Sequence, residues 1–169
     1  MNNEERKNRL RELLQLQKQK ELMKKSLEDE KYVKKTFEEA FGSEFPYEIL
    51  SREATEILIK DFTDTFPIAF WNRIEWENNS IKKWAIELDE IKSISTILQK
   101  ESFDTSKSIY VFWEYNEYPG VKTTLQPLLL QKFEEIICIG RDMYYYCPVQ
   151  KFVIEFFHDG SINIGWVNC

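Results

Sequence analysis

The residue with the clearest chemical potential is His158, since the chain contains one histidine. Any nucleophilic scheme that pairs Ser or Cys with a histidine base would have to use it. It lies beside Asp159 and Gly160, where the pattern predicts an exposed hairpin turn, whereas a general base needs a cleft that holds its substrate. We therefore interpret His158 as a turn residue rather than a catalytic base.

Carboxylates form the second group of chemically interesting residues. Glu114 and Glu117 follow a predicted strand, and Glu155 lies within another. Two carboxylates at a suitable separation can hydrolyse glycosides. The sequence does not set the distance between these carboxylates, so a solvated acidic edge of the protein is the simpler interpretation. A hydrolase stays open as an alternative.

Cofactor and metal motifs are absent from the sequence. The five glycines are widely spaced and match neither the dinucleotide fingerprint nor the P-loop. Cys138, Cys147 and Cys169 lack the short paired spacings of zinc sites. We predict no cofactor and no metal, and reduced thiols in a cytoplasmic protein.

Charge divides the chain into two parts. Residues 1–35 carry eleven Lys and Arg against seven Asp and Glu, a net of +4, whereas residues 36–169 carry a net of −10. The acidic part should attract cationic partners and repel nucleic acid phosphates. The apolar runs are far shorter than the roughly 18 residues that cross a bilayer, and the start of the chain has no apolar signal core. We expect a cytoplasmic location.

The hydrophobic patterns predict an α+β fold in which N-terminal helices precede an antiparallel sheet with one or two packed helices. We expect a single domain over residues 1–169. Its parts are a basic helical arm (1–35), a helical region (36–65) and a region made mainly of antiparallel sheet (66–169), with helices near 89–100 and 125–133. The helical part divides into helices over about 4–27, 30–41 (ending at Gly42) and 47–62 (after Pro46).

Alternating apolar residues predict the strands. The expected strands are a hairpin of 70–76 with 84–88, a strand at 108–115, a short buried strand at 136–139, and a C-terminal hairpin of 151–157 with 161–167. Asp89 is the predicted N-cap of the helix that ends near Lys100.

The arm has an apolar stripe that the rest of the chain or a partner must cover. Its many Lys and Arg residues could contact nucleic acid or an anionic membrane. Acidic residues are interleaved with them at spacings that pair on one helix. We therefore interpret the arm as a solvated, self-paired helix face, and predict neither a nucleic acid nor a membrane partner.

Two segments combine aromatic rings with acids: 113–118 and 141–146. Tyrosine buries a large area and keeps a polar group, and carboxylates steer basic partners. We expect Trp113 to be core. The predicted contact residues of a protein-binding surface are Glu114, Tyr115, Glu117, Tyr118, Asp142 and Tyr144.

The C-terminal stretch from Ser108 to Val167 resembles small bacterial immunity proteins that neutralise polymorphic or contact-dependent-inhibition toxins. The resemblance lies in residues 136–142 (IICIGRD) and 152–160 (FVIEFFHDG). The order of these segments is similar to that in the SUKH superfamily. Phe41-Gly42 followed by Phe45-Pro46 also faintly resembles the opening motif of that superfamily. The chain lacks the small residues expected soon after that motif, and it adds the basic arm.

This resemblance implies an intracellular protein that binds a cognate toxin domain and blocks it without chemistry. Nuclease toxins are commonly basic, so the acidic charge favours a basic nuclease as the partner. The alternative is a cytoplasmic adaptor or regulator that docks partners, or self-associates, through its N-terminal amphipathic helix.

Overall fold

The structure, a computed structural model, describes residues 3–69, 73–114 and 118–167. Within these residues the helices are α1 (Asn3–Phe41), α2 (Arg52–Thr65), α3 (Ile94–Lys100), α4 (Pro127–Gln131), α5 (Phe133–Ile137) and a 3₁₀ helix (Leu88–Ser93). The strands are β1 (Glu48–Ile49), β2 (Ile81–Ile86), β3 (Ser108–Trp113), β4 (Val121–Thr124), β5 (Met143–Cys147), β6 (Phe152–Phe156) and β7 (Ile162–Val167). The α+β prediction is confirmed.

The described strands form one seven-stranded antiparallel sheet with the order β1-β4-β3-β5-β6-β7-β2. Its front face packs against the C-terminal end of α1 and against α3, α4 and α5, and buries Ile109, Val111 and Trp113. Its back face packs against α2 and the segment 66–76, and buries Phe112 and Tyr146. Because both faces are covered, the central strands are apolar on both sides.

The N-terminal helices differ from their prediction. The predicted helices 4–27 and 30–41 are one continuous helix of 39 residues, because no Gly or Pro interrupts this region. Gly42 ends it with a φ of 85°, as predicted. The third helix begins at Arg52 rather than 47, where Ser51 accepts the Ala54 N–H as the N-cap, because residues 48–49 are strand β1 and pair with β4.

The strand predictions had mixed outcomes. The C-terminal hairpin is confirmed as β6 and β7, and strand 108–115 is confirmed over Ser108–Trp113. The hairpin of 70–76 with 84–88 is wrong, because β2 pairs with β7 and Ile74 forms an isolated bridge to Ile68. Part of that prediction, residues 70–72, lies outside the described residues.

Further corrections concern the second half of the chain. The predicted strand 136–139 is wrong, because α5 extends to Ile137 and a turn follows it. The region 125–133 contains two short helices, α4 and the start of α5, and strands β4 and β5 were not predicted. The helix near 89–100 begins as a 3₁₀ helix whose N-cap is Glu87, not Asp89.

Candidate protein-binding surface

One end of the sheet collects most of the residues that the sequence singled out. Strand β3 ends there, β5 begins, and the β6–β7 turn at 157–161 closes the edge. We call this region the hairpin end. The Glu114 N–H donates to the Asp142 carbonyl at 3.0 Å, which continues the β3–β5 pairing of Trp113 with Met143. This pairing joins the two aromatic and acidic segments.

Asp142 is buried, with 1% of its surface exposed. Its Oδ1 accepts the backbone N–H of His158 at 2.8 Å and lies 2.8 Å from His158 Nδ1. Arg141 Nη2 lies 2.9 Å from His158 Nε2. Because arginine can only donate, Nε2 accepts and Nδ1 carries the proton. Asp142 and His158 therefore hold the hairpin turn, in agreement with the interpretation of His158 as a turn residue.

Tyr144 is also buried, with 3% of its surface exposed. It stacks against Phe112 at 5.3 Å and contacts Phe62 of α2 on the back face. Burial raises the pKa of its hydroxyl far above its ordinary value, and the carboxylates of Glu155, Asp142 and Glu114 raise it further. The structure thus brings Glu114, Asp142 and Tyr144 together, with two of them facing inward.

The other predicted contact residues are placed differently. Tyr118 is half-buried, and its ring centroid lies 5.7 Å from that of Tyr32 on α1, at the front face. Glu114 is also half-buried. Tyr115 and Glu117 lie outside the described residues.

Glu155, the second carboxylate considered for hydrolysis, lies in the core with no exposed surface. It accepts from Trp76 Nε1 at 2.7 Å, Arg73 Nε at 3.1 Å and Asn163 Nδ2 at 3.1 Å. Burial raises its pKa, and the hydrogen bonds from Trp76 and Arg73 oppose the rise. The carboxylate binds the 73–76 segment to the back of the sheet and does not line an open cleft.

A groove of about 190 Å³ lies at the hairpin end on the front side of the sheet. Its apolar lining includes Leu88, Phe133, Ile137, Phe156 and Phe157. Leu88 is exposed although it is a large apolar residue. Apolar surface of this kind, bordered by polar groups, is typical of binding sites.

Five exposed carboxylates line this groove or are close in sequence to residues that line it, and we call them the acidic rim. Its members are Glu87, Asp89, Glu90, Glu134 and Asp159, which are all exposed. Glu134 lines the groove itself, and Asp159 lies in the turn whose neighbours line it. Hydrogen bonds from Ser161 lower the pKa of Asp159, so this carboxylate stays ionised.

Sequence reasoning missed the acidic rim. Asp89 and Glu90 belong to a segment predicted as a helix, Glu87 belongs to a predicted strand, and Glu134 lies just beyond another predicted helix. The groove forms only where the 3₁₀ helix, α5 and the β6–β7 turn meet. The available signal was the run Glu87-Leu88-Asp89-Glu90, an apolar residue between acids at the end of a strand.

The described residues provide no group of three or more His, Cys, Asp and Glu side chains that could hold a metal ion. None of the described helices combines the length and the apolar character needed to span a lipid bilayer. The groove and the acidic rim combine apolar area with charge, as sites that bind another protein do.

A comparison with known protein families agrees with a site that binds another protein. The sequence model of the family described as CdiI immunity protein EcoliA0-like matches residues 37–165, well over half of the chain. The chain belongs to this family. It is a toxin-neutralising immunity protein whose partner is a cognate toxin, and the resemblance to contact-dependent-inhibition immunity proteins is confirmed. No curated protein matches the chain as a relative.

Proposed function

We infer that this chain neutralises a basic toxin domain, a nuclease, by binding it at the hairpin end. The observation that carries this proposal is the apolar groove bordered by the acidic rim. A nuclease must bind phosphates, so the surface around its active site is positive. An acidic protein that covers this surface would exclude the nucleic acid.

The groove and the rim have separate roles in this proposal. Leu88 and the rings of Phe133 and Phe157 would receive an apolar anchor of the toxin, because buried apolar contacts at the centre of an interface supply most of its affinity. The carboxylates would accelerate the encounter with a cationic surface, and this effect weakens as salt screens the charges. The net charge of −10 over residues 36–169 acts in the same direction.

The burial of Asp142 and Tyr144 changes the expected contact set. Their side chains offer almost no surface to a partner, so we propose that they hold the hairpin end in shape. Glu114 and Tyr118 remain proposed contacts at its border. Tyr115 and Glu117, which lie outside the described residues, remain contacts proposed from the sequence. The acidic rim replaces the buried pair as the main charged contact.

The proposal includes action in the cytoplasm by binding alone. Blocking a toxin in this way needs no catalytic step and no cofactor, and we propose no nucleic acid or membrane partner. Three donors already occupy Glu155, which supports a structural role for this residue over a hydrolytic one.

The test is co-expression with the C-terminal domain of a large secreted protein encoded next to this chain. We expect the intact chain to restore growth and to bind the purified domain. The double substitution Asp89→Lys with Glu134→Lys should weaken binding by at least about tenfold, mainly through slower association. The control Glu44→Lys with Glu53→Lys changes the net charge equally at exposed sites away from the groove.

Three results would overturn parts of this proposal. Equal losses from both double variants would leave no role for the acidic rim beyond net charge. Unchanged binding of the purified domain by the Asp89 and Glu134 variant would contradict the hairpin end as the binding surface. A neutralised domain with no nuclease activity would contradict the proposed toxin class.

A further inference from the structure

Helix α1 extends well beyond the part of it that packs on the sheet. Val33, Phe37 and Ala40 are buried in the core, whereas nearly every residue from Glu4 to Lys31 is exposed. We call residues 4–31 the arm. At 1.5 Å per residue, the arm is about 40 Å long.

The arm has a stripe of apolar side chains on the open surface. More than half of the surface of each of these side chains is exposed: Leu10, Leu13, Leu14, Leu16, Met23 and Leu27. We call these six residues the arm stripe. Large apolar patches on a protein surface are typical of interaction sites.

The arm stripe lies on a different side of α1 from the residues that face the sheet. At about 100° per residue, the centre of the stripe is rotated by about 140° from the direction of Val33, Phe37 and Ala40. The packing that fixes α1 on the front face therefore turns the stripe away from the sheet. Its partner must come from outside this fold.

Charge along the arm identifies that partner. Residues 6–11 contain four basic side chains (Arg6, Lys7, Arg9 and Arg11), whereas Glu28, Asp29 and Glu30 form an acidic block near the other end. A parallel pair of arms would place each block against its own copy, with like charges adjacent. An antiparallel pair places the basic block against the acidic block twice.

We propose that the arm stripe binds the arm stripe of a second copy of this chain, in an antiparallel helix pair. When Leu10 faces Leu27 of the partner subunit, Leu14 faces Met23 of the partner subunit. In the same register Lys7 faces Glu30 of the partner subunit, and Arg9 faces Glu28 of the partner subunit. The two-fold axis repeats every contact, as in an isologous dimer.

The centre of this pair is polar. Gln17 and Lys20 lie between the two apolar ends, in the layer that the two-fold axis crosses. A polar layer lowers the stability of paired helices but selects one register and orientation. The dimer is therefore held by two apolar ends and two sets of opposite charges.

This dimer does not depend on the proposed toxin site. The family match begins at residue 37, so it leaves out the whole arm, and the hairpin end lies on the matched part of the chain. Dimerisation would join two immunity proteins and leave each hairpin end available.

The test measures the mass of the full chain in solution by sedimentation equilibrium over a range of concentrations. We expect a dimer, and we expect Leu10→Gln with Leu27→Gln to raise its dissociation constant more than about a hundredfold, because four buried leucines are lost per dimer. Both sites are exposed in the single chain, so the fold should persist, which circular dichroism can check. The matched control is Leu22→Gln, an exposed leucine outside the stripe, which should leave the dimer intact.

A charge exchange tests the orientation. Lys7→Glu and Glu30→Lys should each weaken the dimer, and the double variant should restore it, because the antiparallel register sets these residues opposite each other. A monomer at every concentration would overturn the proposal, as would a dimer that the leucine variant does not weaken. Failure of the double variant to restore the dimer would overturn the antiparallel register. If the wild-type chain is a monomer and the leucine variant loses toxin binding, the arm stripe binds the toxin instead of a second copy.

Discussion

The indole N–H of Trp76 donates to the buried carboxylate of Glu155 across 2.7 Å. The same indole ring lies directly over Gly165 of β7, where a Cβ atom would come within 2.8 Å of ring carbon Cη2. Arg73 and Asn163 also donate to this carboxylate. Glu155 therefore anchors the segment 73–76 to the back face, and this contact can be tested from both sides.

The substitution Glu155→Gln should lower the free energy of unfolding by about 2–4 kcal/mol. The amide NH₂ would face at least one N–H donor, that of Ile74, which now points at an oxygen, and the Arg73 guanidinium would lose its buried negative partner. Urea denaturation of both proteins measures the change. Glu134→Gln is the control, because Glu134 is exposed, and an equal loss there would contradict the special role of Glu155.

The pH dependence of stability should report the same carboxyl. Burial raises the pKa of Glu155 above its ordinary value of 4.5, so the folded state holds this proton more tightly than the unfolded state does. The resulting stabilisation of the folded state is complete when the pH is below 4.5, the ordinary pKa of this carboxyl in the unfolded chain. It is lost as the pH rises through the higher pKa that Glu155 has in the folded protein. Because Glu155→Gln cannot titrate, its stability deficit should shrink as the pH rises from about 4 to about 8. A deficit that grows with pH would show a lowered pKa instead.

The substitution Gly165→Ala should destabilise the protein by about 1–3 kcal/mol, because the added methyl group displaces the Trp76 ring. The cost should be smaller in a Trp76→Leu background, which removes the ring. Denaturation of the two single variants and the double variant measures the coupling. Gly120→Ala is the matched glycine control, since its Cβ would meet its nearest atom at 3.4 Å. Simple additivity of the Gly165 and Trp76 changes would refute the contact.

The substitution Asp142→Ala should loosen the turn at 157–161. It removes the acceptor of two hydrogen bonds from His158, and local stability should fall by about 1–2 kcal/mol. Amide hydrogen exchange of the turn residues measures this local opening. Unchanged exchange together with a loss of toxin binding would instead make Asp142 a direct contact.

Elements with strong local signals were predicted from the sequence. The β6–β7 hairpin followed from alternating apolar residues around a Gly-containing turn, and the end of α1 followed from Gly42. Strand β3 followed from alternation along 108–115, and its Ile109 and Val111 face the front whereas Phe112 faces the back. In each case the pattern lies within a few residues, so sequence neighbours carry it.

Strand β5, at the centre of the sheet, was missed for a physical reason. All five of its residues are buried because helices cover both faces, so it has no polar alternation to detect. Strand β2 was assigned to the wrong partner, since its pairing with β7 joins residues about 80 positions apart. Local patterns contain no information about such a choice.

The division of charge between arm and body follows from composition, and the helical character of residues 3–41 follows from the lack of Gly and Pro in that region. The exposure of each acid depends on contacts that are distant in the chain. Asp142 and Glu155 are interior because the hairpin turn and the 73–76 segment donate hydrogen bonds to them, whereas Asp89 and Glu134 meet water beside the groove. Every carboxylate carries the same chemistry in the sequence, and burial by residues far along the chain sets its role.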